Sequence, residues 1–139
     1  ALAAFIPVII GMGGNVGTQS STIIVRGLAT GRVSFENSMK VLLKEMRVGL
    51  ILGLLYGLLL GIFAIFQFID TSPLLGLVVG LSISISMILA ATIGSLVPLV
   101  LNRFEIDPAI ATGPFVTTAI DIIGVTFYFL IAKSLLFVA

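Results

Sequence analysis

Long apolar runs broken at a few sharp places dominate this chain. A membrane-spanning helix needs about 20 consecutive apolar residues. Four stretches reach that length: about Ala1 to Leu28, Val48 to Ile69, Pro73 to Leu101 and Pro108 to Ala132. The last two are long enough to tilt or to project beyond the hydrocarbon. Val33 to Arg47 reads differently. Phe35, Met39, Leu42, Leu43 and Met46 fall on one helical face, and Glu36, Lys40 and Lys44 on another. That pattern predicts a separate amphipathic helix on the membrane surface, with a soluble linker helix as the alternative. The fold class that follows is all-α: a polytopic membrane helix bundle.

The connections carry their own signals. Asp70-Thr71-Ser72-Pro73 supplies N-cap candidates followed by a proline suited to a first turn, and Asp107-Pro108 does the same for the last span. The first connection holds Arg26, Arg32, Lys40, Lys44 and Arg47, the second holds no basic residue, and the third holds Arg103. By the positive-inside rule the first and third connections are cytoplasmic and both chain ends lie outside. Lys133 dissents weakly, since a lysine at a helix end can snorkel. An external first helix implies an earlier span in a longer parent. The start at Ala1, with no basic n-region or cleavage site, also reads as a piece of a longer protein.

Composition agrees with the pattern. Of 139 residues, 59% are hydrophobic and 9% charged, against about a quarter charged in a soluble domain. The net charge of +1 gives no reason to expect nucleic acid. With no cysteine and no histidine, soft-metal, haem and most zinc sites are excluded, as are Ser/His and Cys/His catalysis.

Polar residues inside the spans then become informative. In the second span Gly49, Gly53, Gly57 and Gly61 recur every four residues, a smooth groove for close helix packing. The third has a similar stripe of Gly76, Gly80, Ser84, Ala91 and Ser95, and Pro98 is expected to kink it. In the fourth, Pro114, Thr117, Thr118, Asp121, Gly124 and Tyr128 share a face, with Phe115, Ile122, Phe129 and Leu136 behind it. A carboxylate at mid-span costs about 2.5–3.5 kcal/mol on insertion scales, so Asp121 requires a reason to be there. No intramembrane cation lies at its depth, which favours an ion pathway over a neutral structural acid. In the first span Gly11, Asn15, Thr18 or Gln19, and Thr22 form a second polar stripe, set among Gly13, Gly14 and Gly17. Glycine-rich backbone at membrane depth is tolerated where protein or a water-filled cavity covers it.

Every donor on these stripes is a hard oxygen, which suits Mg²⁺, Ca²⁺, Mn²⁺ or an alkali cation. One Asp per chain cannot build a dry Ca²⁺ cage. Two Asp121 carboxylates in a symmetric dimer would match a hydrated divalent ion.

The stretch from Pro7 to Ser21, PVIIGMGGNVGTQSS, with Val25-Arg26-Gly27 after it, resembles the signature of the second transmembrane helix of MgtE-family magnesium transporters. Asp107 to Tyr128, DPAIATGPFVTTAIDIIGVTFY, resembles that family's last helix, and Gly94-Ser95-Leu96-Val97-Pro98 its fourth. The resemblance covers essentially the whole chain. It implies a homodimer with five helices per subunit, the first of them absent here, and a pore at the subunit interface. It also implies a cytoplasmic magnesium-sensing region that precedes the pore. The metal residues it carries over are Asp121, Asn15, the backbone of Gly11, and Thr117; Thr118, Pro114, Gly14 and Thr18 would line the pore. A related branch of eukaryotic magnesium solute carriers shares these motifs. The expected function is therefore passage of hydrated Mg²⁺ through a lipid-embedded pore, and the resemblance places it in a bacterial plasma membrane. The alternatives are exchange of Mg²⁺ for Na⁺ or H⁺ and, remotely, an intramembrane aspartyl protease, which would need two carboxylates sharing a site.

Overall fold

The structure is a computed structural model that describes residues 1–70, 72 and 74–136. Four helices long and apolar enough to cross a membrane make up nearly all of it: α1 (Leu2–Ala29), α2 (Ser38–Gln67), α3 (Leu74–Arg103) and α4 (Pro114–Leu136). Helix α3 is the hub and packs on each of the other three. Its apolar stretch is 56% buried, against 28% for each of the others, so the core is built around it.

α1 ends where Gly31 takes a left-handed conformation at φ 69°, a region glycine enters without steric cost. The chain then folds back, and the Val33 N–H donates to the Gly27 carbonyl at 3.0 Å. Asn37 organises the turn that follows: its Oδ1 accepts from the Ser34 N–H and its Nδ2 donates to the Arg32 carbonyl.

The segment 33–47 is not a separate surface helix. Residues 33–37 form the turn, and Ser38 to Arg47 are the opening residues of α2, continuous with the span. No proline or capping residue interrupts Leu42 through Val48, so the helix has no reason to stop. Its 30 residues run about 45 Å at 1.5 Å per residue, and the hydrocarbon takes up only about 30 Å. The charged first turns are the surplus.

The contact between α2 and α3 is made by backbone. Gly49, Gly53, Gly57 and Gly61 all lie against α3, and a Cβ on Gly53 would sit 2.7 Å from the Ser84 carbonyl oxygen. A Cβ on Gly61 would meet the Gly76 carbonyl oxygen at 2.8 Å. Side chains larger than hydrogen would force the helices apart. The Ser84 hydroxyl donates across this seam to the Gly53 carbonyl at 2.9 Å.

Of the expected caps, Thr71 and Pro73 lie outside the described residues. The Ser72 hydroxyl accepts from the Leu74 N–H at 3.3 Å. Asp107 caps a short 3-10 turn, Pro108–Thr112, by accepting from the Ala109 N–H at 2.9 Å. The last span therefore starts later than the expected Pro108. Gly113 is extended, and α4 begins at Pro114, where a missing N–H costs nothing. The α3 helix continues through Pro98 to Arg103.

Candidate functional site

α1 and α4 run antiparallel, and three contacts set their register. Ser21 donates to the Ala111 carbonyl, in the turn just before α4, at 2.9 Å near one end. Tyr128 donates to the Leu2 carbonyl at 2.8 Å near the other. Between them the side chain of Ile120 lies over Gly13 and Gly17; a Cβ on Gly13 would touch it at 3.3 Å, and one on Gly17 would collide with it.

Seating Ile120 in this way fixes the rotation of α4 and with it the direction of the next residue. Asp121 turns toward Gly14, where an added Cβ would lie 3.8 Å from Oδ1. That oxygen is buried and accepts no hydrogen bond among the described residues. An unpaired polar atom in the interior carries its full desolvation cost. A carboxylate kept in that state is short of a donor, whether water, a cation or a hydrated cation.

Around Asp121 the surface stays open. Gly11 and Asn15 on α1, and Pro114 and Thr118 on α4, are exposed; Gly14, Thr18 and Thr117 are half-buried. Thr117 donates its hydroxyl to the Pro114 carbonyl at 3.1 Å, and Thr22 donates to the Thr18 carbonyl at 2.8 Å. Their hydroxyl oxygens keep lone pairs for an incoming donor. Thr18, Gln19 and Thr22, with Ile23, border a shallow cavity of about 310 Å³.

Two residues of the α4 stripe face protein and not the open side. Gly124 and Tyr128 are buried, on the ridge formed with Val116 and Ile120. Tyr128 is almost on the azimuth of Asp121, but at its height the start of α1 covers that azimuth. Crossing helices bury different azimuths at different heights, which periodicity within one helix does not reveal.

A second interior acid was missed. Glu45 is only 3% exposed and accepts from the Ser20 hydroxyl at 3.0 Å through Oε2. Lys44 and Arg47 flank it in sequence, the pattern of a solvated surface. The signal that points inward is its register: Glu45 stands four residues before Gly49, in line with the whole glycine series. Among the described residues no three His, Cys, Asp or Glu side chains come together as a metal cluster.

Four membrane-length helices, with an acid-bearing polar face left open along α1 and α4, define a multi-pass integral membrane protein. Comparison with known families matches residues 6–131 to MgtE, described as divalent cation transporter, and the chain belongs to that family. MgtE is a transporter family and not an enzyme family, which removes the protease alternative. Among curated relatives, a magnesium transporter MgtE of Thermus thermophilus is 41% identical over 141 residues, covering 98% of this chain and 30% of the relative. Proteins of the same name from Bacillus subtilis and Enterococcus faecalis are 35% and 36% identical, over 96% and 95% of this chain and 29% of each relative. The chain spans less than a third of the length of these relatives.

Proposed function

We propose that two copies of this chain meet across the α1/α4 face and pass hydrated Mg²⁺ between them, with Asp121 of each copy as the central acceptor. The observation that carries this reading is the buried, unpartnered Asp121 oxygen beside an otherwise open polar face. The names of the relatives supply the ion.

The chemistry is consistent with a wet ion. Mg²⁺ gives up its water reluctantly and is commonly held by one or two carboxylates plus retained waters. Bound waters present hydrogens outward, so the wall must offer acceptors. Asp121, the Asn15 side-chain oxygen, the Gly11 carbonyl and the Thr117 hydroxyl oxygen are all acceptors of that kind. Pro114, Thr118, Gly14 and Thr18 shape the remaining wall. Two facing carboxylates would balance one divalent charge, as acidic rings do in cation-selective pores. Segments beyond this chain, present in the longer relatives, would carry cytoplasmic magnesium-dependent gating, and the setting would be a bacterial plasma membrane.

The test is Mg²⁺ flux into liposomes. Uptake by the reconstituted chain should drop to the background leak in Asp121→Ala while helical content and thermal stability are kept. Undiminished uptake in that variant would refute the proposal. Electrical recording separates the two transport modes: current without any counter-ion gradient marks a passive pore, and strict dependence on a Na⁺ or H⁺ gradient marks an exchanger.

A further inference from the structure

A further cavity lies at the end of α1, next to the one bordered by Thr18, Gln19 and Thr22, with which it shares Ile23. It measures about 440 Å³ and is bordered by Arg26, Arg32, Lys44 and Glu45, with Ile23, Val33 and Val41 among its apolar walls. It sits where α1 ends, the chain turns and α2 begins, on the side that the positive-inside rule assigns to the cytoplasm.

Among the described residues no hydrogen bond joins these charged groups to one another. The hydrogen bonds around the cavity join Ser20 to Glu45, Thr30 to the carbonyls of Arg26 and Gly27, and Asn37 to the carbonyl of Arg32. None of these uses a guanidinium or ammonium donor. Glu45 is turned into the helix contact by Ser20. Three cations against one carboxylate leave an excess of two positive charges around a cavity with apolar walls.

We propose that this cavity seats the phosphate of an anionic phospholipid from the cytoplasmic leaflet. Guanidinium groups match phosphate oxygens in bidentate geometry, and a lysine supplies a point charge. A soluble anion would use only the charged rim. The apolar part of the wall favours a lipid: Ile23, 51% exposed, borders the cavity, and Val48, 39% exposed, lies one turn beyond Lys44 on α2. Basic pockets between membrane helices at the cytoplasmic surface are suited to lipid headgroups on the same grounds. The proposal stands or falls independently of ion passage through the Asp121 face. Its consequence would be an anchor that holds the α1–α2 turn at the membrane surface.

Native mass spectrometry of the purified chain in detergent tests this, with titrations of phosphatidylglycerol, phosphatidylcholine and inorganic phosphate. Phosphatidylglycerol should bind saturably and more tightly than phosphatidylcholine, and millimolar inorganic phosphate should fail to displace it. Arg26→Gln, Arg32→Gln and Lys44→Gln should each weaken phosphatidylglycerol binding roughly fivefold, while Lys133→Gln at the far end of α4 leaves it unchanged. The double Arg26→Lys, Arg32→Lys variant keeps the charge but loses the guanidinium fork, and should bind phosphatidylglycerol less tightly than the parent and more tightly than the glutamine variants, which guards against mere misfolding of the latter. Equal affinity for the two lipids, unchanged binding in a triple Arg26→Gln, Arg32→Gln, Lys44→Gln variant, or displacement by inorganic phosphate would each overturn the proposal.

Discussion

The outer face of α2 and the open face of α1 and α4 are both exposed, yet they are made of opposite materials. On α2 the exposed residues are large and apolar, among them Ile51, Leu54, Leu58, Ile62 and Phe66, each at least 45% exposed. Its buried positions are Glu45, four glycines and Ala64. A soluble protein would place these the other way round, because burial of apolar area drives its folding. In lipid that drive between helices is gone, and close packing and hydrogen bonding replace it. Glycines therefore go inward, where backbones meet, and leucines outward, where acyl chains meet them. The α1/α4 face breaks this arrangement with Asn15, Gln19, Thr22, Thr118 and Asp121. A polar surface of that kind is stable in a bilayer only against water or another protein surface.

Neighbouring residues of α2 provide the strongest challenge to that contrast. Gly57→Leu puts a side chain where an added Cβ already lies 2.5 Å from the Gly80 carbonyl oxygen. Overpacking against rigid backbone should cost more than about 3 kcal/mol, read as loss of the folded fraction in a detergent unfolding assay. Leu58→Asp, one residue on, faces lipid and should cost about 3 kcal/mol in membrane insertion, measured by a glycosylation-type insertion assay. If Leu58→Asp inserted as well as the parent, α2 would not be a lipid-facing helix.

On the polar face the expected signature is reversed. Asn15→Leu should leave stability within the error of measurement, because its side chain is exposed and makes no contact the fold depends on. Mg²⁺ flux should fall roughly tenfold, as when an outer ligand to a metal is removed. A gain in stability with unchanged flux would mean that this face is ordinary lipid surface. The mildest effect is expected from Tyr128→Phe, which removes only the hydrogen bond to the Leu2 carbonyl. That should lower the unfolding free energy by about 1 kcal/mol and reduce flux only as far as the α1/α4 register loosens.

Several features were legible because they are properties of a short stretch of chain. Apolar length set the four spans. Basic residues clustered in the first connection, and Asp121 stood out because a carboxylate among apolar neighbours is expensive wherever the helix sits. Glu45 was not legible in the same way. Its neighbours are charged, and its burial depends on Ser20 of another helix lying opposite.

What the sequence determined by itself is the class of molecule and its principal polar residues, since transfer from water to hydrocarbon depends on local composition. Tertiary structure alone decided that Ile120 rather than Asp121 fills the space over Gly17. It also decided that Tyr128 is covered while Asp121, on nearly the same azimuth, keeps a buried oxygen without a donor among the described residues. These outcomes depend on which helix lies opposite at each height, and crossing angles and register arise only when separate segments pack together.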